Sequence, residues 1–565
     1  MSLRHRAHRV ALLPLDDRPV NTKLIRMLGR MVDYEITAPP AEMIGNFDSP
    51  GNPEAIMQWL LNTTPEVDSI LVSIDMLAYG GHVASRQPNV RADTALHRLE
   101  FLKTLREKVE DRSIYAFGTI PPPEGMPLVG QEVDDSRAAA RHAELEARVA
   151  DANGEPDASV ADELTDLRSD VSPDFFSRYH EMRRRNLRVN LRATELAADG
   201  VIDFLMIGQE STASVGPHVA ESDEIMSLVA SRSASDSVVL VDGYSEGLAV
   251  LLVRFVHSHM GTSPAIASVC SSVEACDTSL NQAQGVTIRE AVRAQIIGIG
   301  ASEVDDPANA DICLYVHPPC GLTDDQATPG GPGFQERKHQ LHQFAIDISG
   351  WVASDRLAAL ADAAAPGGAD EALMHALHEV KVDLTRLGGF AARETLGASV
   401  GTALSHVCMR RIALQDKGAF DLAQAVGDLR PMRYLELLDS LIESERAHIR
   451  TLLGRFVEDY LYGARIKRRA TAYLADLIAN SPISLTQIAN SAEEYVRKSL
   501  NRAAGEFYIE HFLGRQAVAI GRDQQQSGLM LCELEEARVR LPWRRLAEVD
   551  VDLDFDIQLV ATPNE

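Results

Sequence analysis

The sequence predicts an α/β protein with mainly parallel sheets. Three observations lead there: short apolar, β-branched runs recur along the chain, stretches of helical spacing separate them, and the runs stop abruptly at carboxylates, glycines or prolines. Strands buried on both faces read as continuous apolar runs, and their alternation with helices is the pattern of parallel crossovers. Such runs number about ten, more than the eight of one barrel, so two Rossmann-like lobes are expected, with a (β/α) barrel as the alternative. A mostly helical C-terminal domain should follow them.

Val10-Ala11-Leu12-Leu13 opens the chain as a buried strand and is stopped by Pro14. Beyond it Asp16, Asp17, Arg18 and Asn21 gather two carboxylates, a guanidinium and an amide at the strand's carboxyl end, and Thr22 to Leu28 has helical spacing. Tyr34 to Ala38, stopped by Pro39-Pro40, reads as a second strand, and Ser69 to Asp75 as a third with a loop from Met76 to Arg86. Ile114 to Ile120 is the fourth. An Ala-, Glu- and Arg-rich helical insertion follows, in which Arg185, Arg188 and Arg192 share one face and read as solvated. Strands resume at Ile202 to Gly208, Val238 to Asp242, Ile266 to Cys270 and Ile312 to His317, with Phe344 to Ile348 and Leu384 to Phe390 as two further ones. From Gly397 to Leu500 the pattern is helical. At the end Asp550, Asp552, Asp554 and Asp556 alternate with Val551, Leu553, Phe555 and Ile557, the period of a half-buried edge strand, with a calcium-holding face as the lesser alternative. The expected organisation is therefore a first part of the α/β core at 1–133, a helical insertion at 134–199, a second part of the core at 200–396, a helical domain at 397–530 and a strand segment at 531–565.

A chain of 565 residues exceeds one compact core, and its net charge of -27 argues against nucleic acid or an anionic membrane as a partner. The apolar run Gly247 to Val253 is cut by Arg254, too short to span a bilayer, and the basic amino terminus lacks the long apolar stretch of a signal peptide. A cytoplasmic protein with a small-molecule substrate is expected, its oligomeric state left open. Cys270, Cys276, Cys313, Cys320, Cys408 and Cys532 show no paired C-x-x-C spacing, so they are expected to be reduced.

Asp75 and Glu210 each follow an apolar strand, where burial can raise a carboxyl pKa, and are the general acid/base candidates. Paired carboxylates suit glycoside hydrolysis. Substrate binding is assigned to Asp16, Asp17, Arg18, Asn21, Tyr79, Gly80, Gly81, Arg86, Gln209, Asp242 and Glu246. For each carboxylate a helix cap or ion pair is the competing reading. No G-x-G-x-x-G or Walker spacing points to a nucleotide cofactor, and no organic cofactor is expected. A divalent metal on Asp16, Asp75, Asp242 and His317 is an alternative without ligand spacing behind it.

The run Leu13 to Asn21, Asp75 with Ala78-Tyr79-Gly80-Gly81 and Ala84-Ser85-Arg86, and Leu541-Pro542-Trp543-Arg544-Arg545 with Glu548 together resemble the bacterial family known as domain of unknown function 4127. The resemblance spans nearly the whole chain and implies a map of polar loops without an activity. Later motifs depart from the family pattern. Gly208-Gln209-Glu210-Ser211 stands for Gly-Gln-Asp-Asp, Gly243-Tyr244-Ser245-Glu246 for Gly-Ala-Asp-Glu, and the segment Gly388 to Gly397 lacks a Trp and an Asn. A hydrolase-like enzyme acting on a glycosidic or related polar metabolite is the leading expectation. A binding or regulatory protein that has lost catalytic groups, and a metal-dependent hydrolase, are the alternatives.

Overall fold

The computed structural model describes residues 8–47, 49–109, 111–124, 131–151, 158–211, 213, 215–277, 287–322, 326, 329–365, 367–418, 431–480, 484–520 and 527–561. Two compact units divide the chain. The first comprises Met1–Ile25, Glu35–Gly261 and Asp277–Ile299; the second comprises Arg26–Tyr34, Thr262–Cys276 and Gly300–Glu565.

The first unit is built on a sheet of β1 (His8–Leu13), β2 (Tyr34–Thr37), β3 (Ser69–Ser73), β4 (Ser113–Ile120), β5 (Phe204–Gln209) and β6 (Val238–Asp242). Their order is β2-β1-β3-β4-β5-β6, and the pairs β1–β3, β3–β4, β4–β5 and β5–β6 are parallel. All five residues of β3 are buried, which is why the strand shows no polar alternation. The core collects Leu13, Ile70, Val72, Ile114, Leu205 and Ile207 from the strands with Leu99, Leu102 and Leu105 from the helix Ala92–Val109.

The second unit carries β7 (Ala265–Cys270), β8 (Ser302–Glu303), β9 (Ile312–His317), β10 (Leu357–Asp362) and β11 (Gly389–Ala391), ordered β11-β10-β9-β7-β8 and parallel throughout. Read from its other edge, this order repeats that of the first sheet. The first strand of each set has the second on one side and the third on the other, so the winding reverses between first and third. An antiparallel sheet of β12 (Gln516–Ile520), β13 (Ser527–Arg540) and β14 (Asp550–Ala561) closes the chain.

The fold class is thus α/β with two open parallel sheets and a largely helical region after β11. No closed barrel occurs among the described residues, which removes the barrel alternative.

Several local expectations are corrected. Phe344 to Ile348 lies inside the helix Pro332–Ala353, whose Phe344, Ala345 and Ile348 fill the core while Ile346 faces out; the apolar cluster is one turn of a helical stripe. Leu384–Arg386 is a 3₁₀ turn, and the strand begins only at Gly389. Leu357–Asp362, Ala-rich and weak in β propensity, is nevertheless a central strand between β9 and β11. The stretch Met76 to Arg86 is not a loop: Ile74–Tyr79 and His82–Ser85 are short helices, joined by Gly80 and Gly81 at φ 93° and 123°. Antiparallel strands begin at Gln516, ahead of the expected segment. Within the helical stretch expected from Gly397 to Leu500, Phe456–Ile466 is a π-helix, followed by an α-helix over Lys467–Asn480.

In β14, Val551, Leu553, Phe555 and Ile557 are buried while Asp552 and Asp554 are exposed, and Arg450 pairs with Asp554. Arg185 departs from the solvated face expected of it. Its buried guanidinium donates to the carbonyls of Ser85, Gln87 and Val90, whereas Arg192 pairs with Glu100 and Glu195. The cysteines also differ from expectation: Cys270 and Cys276 form a disulfide, seven residues from first to last and too local for spacing rules to reveal, while Cys313, Cys320, Cys408 and Cys532 are free.

Candidate functional site

In the first sheet the winding reverses between β1 and β3, and open α/β sheets bind ligands in the crevice outside the carboxyl ends at such a point. The polar residues singled out by the sequence leave the sheet there. Pro14 ends β1, and Asp16 folds back on the segment that follows. Its carboxylate accepts from the Arg18 backbone N–H at 3.1 Å, from Arg18 Nε at 2.8 Å and from Asn21 Nδ2 at 2.6 Å. All three residues are buried, so this knot holds the entry to the helix Pro19–Met31 in one geometry. Asp17 beside it is half-buried.

After β3, Ser73 caps the helix Ile74–Tyr79 by accepting from the Met76 N–H at 3.1 Å, which leaves Asp75 free of the capping role. Asp75 is 3% exposed, and its Oδ2 accepts a hydrogen bond from Thr119 Oγ1 on β4 at 3.0 Å. Burial pushes its carboxyl pKa up to about 7, against the opposing pull of Thr119, Arg86, Arg185 and Ser85. The turn at Gly80 needs glycine. A Cβ there would stand 2.7 Å from the Gly51 carbonyl oxygen, and the Gly80 carbonyl accepts from the Gly51 N–H. Next, the His82 N–H donates to the Leu15 carbonyl at 3.1 Å and ties this segment to the loop after β1.

Glu210 follows β5 directly. Its side chain is 3% exposed and pairs with Arg86, while His82 Nε2 lies 3.4 Å from the same carboxylate oxygen. Arg86 Nη2 also reaches His82 Nε2 at 2.9 Å. A guanidinium only donates, so Nε2 accepts and the neutral ring carries its proton on Nδ1, a buried atom with no hydrogen-bond partner among the described residues. Burial, with Arg86 and Arg18 nearby, holds the His82 pKa well below its ordinary value. Tyr244 completes the group, its ring stacked on His82 at 4.9 Å and lying 5.5 Å from the Arg18 guanidinium carbon.

The structure therefore joins Asp16, Arg18 and Asn21 to Arg86 and Glu210 through His82 and Tyr244, and sets Asp75, held by Thr119, within the electrostatic reach of Arg86; His82, Tyr244 and Thr119 were not selected by sequence reasoning. His82 had a signal, since it directly follows the glycine pair. Tyr244 stood in the stretch Gly243 to Glu246 that departs from the family pattern, and Thr119 had no signal of its own.

The remaining candidates have other partners. Tyr79 is buried under the Arg185 guanidinium, 4.5 Å from its ring. Gln209 is engaged on both ends, donating to the Ser211 carbonyl at 2.8 Å and accepting from Ser222 at 2.7 Å. Gln295 Nε2 joins Asp242 and Glu246, donating to the Asp242 carbonyl and to Glu246 Oε1, each at 3.0 Å. Of the four residues considered for a metal, Asp16, Asp75 and Asp242 belong to the first sheet's strand ends and His317 to β9 of the second. A different set, His378, Glu510 and His511, places its ligand atoms within 4.8 Å of one another, beside a cavity of about 200 Å³ lined by His375, Tyr460, Arg465 and Phe507.

Fold and site together define a two-unit α/β protein with a buried carboxyl, histidine and arginine cluster at a sheet switch point. The chain belongs to the family described as protein of unknown function DUF4127, whose model matches residues 10–552. No curated protein gives a match to the chain.

Proposed function

We propose that the first unit is a hydrolase acting on a glycosidic or related polar small molecule, with Asp75 as the general acid. One observation carries this reading: a carboxyl buried at the switch point of a parallel sheet keeps its proton to about pH 7. A proton donor works best with a pKa near the operating pH, and transfer to a leaving oxygen contributes about 10²–10⁴-fold. Glu210 is the partnering carboxylate. Arg86 and His82 hold it in place, and its Oε1, buried without a hydrogen-bond partner among the described residues, is the atom available to a water or a substrate hydroxyl. Asp16, Arg18 and Asn21 fix the wall on the β1 side.

A binding protein without turnover is the second reading. It is favoured by the internal pairing of Arg18 with Asp16 and of Arg86 with Glu210, which leaves the charges satisfied without a substrate. A cytoplasmic, bacterial setting completes the proposal; the Cys270–Cys276 bond is the feature that weighs against the cytoplasm. The test is a panel of 4-nitrophenyl glycosides and phosphoesters. Wild-type turnover of a glycoside that falls at least ~100-fold in Asp75→Asn supports the hydrolase. Turnover unchanged in Asp75→Asn, or a folded wild type that binds sugars in a thermal-shift assay while cleaving none, sinks it.

A further inference from the structure

The second sheet reverses its winding between β7 and β9, as the first does between β1 and β3. The residues at that point form a connected chain. Ser271 directly follows β7 and is fixed by its N–H donating to the Val316 carbonyl at 2.9 Å. Its Oγ lies 2.7 Å from Nδ1 of His317, the last residue of β9. Nε2 of the same ring lies 3.0 Å from Asp370 Oδ2. His317 and Asp370 are buried, at 5% and 2% exposure, whereas Ser271 is only half-buried.

Asp370 is itself held from several sides. Arg337 donates to Oδ1 at 3.2 Å and to Oδ2 at 2.5 Å, and the Ala372 N–H donates to Oδ1 at 3.1 Å as Asp370 caps the helix Glu371–Val380. Its backbone N–H donates to Asp362 on β10 at 2.7 Å. Burial alone would raise its pKa, but the bonds from His317 and Arg337 hold it at about 2, so the group is an ionised, acceptor-only carboxylate. Against an acceptor-only carboxylate Nε2 is the donor, so in the neutral ring the Nδ1 lone pair accepts from Ser271 Oγ–H. A hydroxyl donating to an imidazole whose far nitrogen is oriented by a buried carboxylate is the arrangement that activates serine, and it is recognised by geometry and roles rather than by chain order.

We propose that Ser271, His317 and Asp370 form a second catalytic site, an acyl-transfer centre for carboxylic esters. Ser271 Oγ bonds to the ester carbonyl carbon while its proton passes to His317 Nδ1 and the carbonyl π pair moves onto oxygen. When the carbonyl re-forms, the bond to the alcohol oxygen breaks and His317 returns the proton to that oxygen. Water then repeats the sequence on the acyl-serine, releasing the carboxylic acid and restoring Ser271. Ser271 and His317 are the catalytic residues; Asp370 positions the ring and Arg337 positions Asp370. Sequence inspection passes over this site because no G-x-S-x-G surrounds Ser271 and its partners stand 46 and 99 positions away.

The test uses the full-length protein and a biotinylated fluorophosphonate, which forms an Oγ–P bond on an activated serine with loss of fluoride. One adduct, placed on Ser271 by peptide mass spectrometry, is expected. Its rate of formation should fall at least ~100-fold in Ser271→Ala and in His317→Gln, each checked for wild-type circular dichroism. Asp370→Asn should slow labelling while Asp370→Glu restores part of the rate, a rescue by the conservative variant that loss of packing alone does not produce. A folded wild type left unlabelled, an adduct on another residue, or equal rates in wild type and His317→Gln overturns the proposal.

Discussion

Replacing Asp75 with Asn is expected to change how stability depends on pH by about 4 kcal/mol across the range from 4 to 8, with little change in shape or packing. In the folded protein the carboxyl keeps its proton to about pH 7, whereas the unfolded chain releases it near 3.8. Between those values folding takes up a proton. The contribution of Asp75 is therefore fully present below the unfolded value and is lost as pH rises through the folded one, where a buried carboxylate must ionise. Asn fills the same space and still accepts from Thr119, but it does not titrate. Denaturant unfolding of both proteins at a series of pH values isolates the effect, since every other titrating group, including His82, cancels in the difference. Parallel curves would mean that Asp75 is ionised in the folded protein like a surface acid.

Glu445→Leu should destabilise the second unit by about 3–5 kcal/mol. Glu445 and Arg410 pair side by side at 1% and 6% side-chain exposure, Glu445 on the helix Pro431–Arg455 and Arg410 on Leu396–Gly418. Removing the carboxylate strands a guanidinium in the interior, beside the hydrogen-bonded rings of His406 and His448, which burial keeps uncharged. The paired change Arg410→Met with Glu445→Leu should recover most of the loss, because two charges that pay for each other's burial can be exchanged for apolar groups of like volume. Denaturant midpoints of the two single variants and the double variant measure this coupling. A double variant as unstable as the sum of its singles would show that each residue acts through other partners.

The strands were legible because burial on both faces writes them as apolar runs, as in Ile70 to Val72 and Ile312 to Val316. Leu357–Asp362 was hidden by its alanines, which suit either state locally and become strand only through pairing with β9 and β11. Phe344 to Ile348 misled for the opposite reason, since a few apolar residues match both periods until the whole helix is seen. At the site, Asp16, Arg18, Asp75, Arg86 and Glu210 were legible as polar residues at the ends of apolar runs. His82, Tyr244 and Thr119 were not, because their importance lies in contacts between loops of separate strands. Ser271, His317 and Asp370 have the same character.

The most direct measurement is an isotope-edited infrared titration of the wild type against Asp75→Asn, which isolates the C=O stretch of one protonated carboxyl. The band should persist to about pH 7 and give way to carboxylate there. Its disappearance near 3.8, the ordinary value for aspartate, would contradict the assignment of Asp75 as the proton donor.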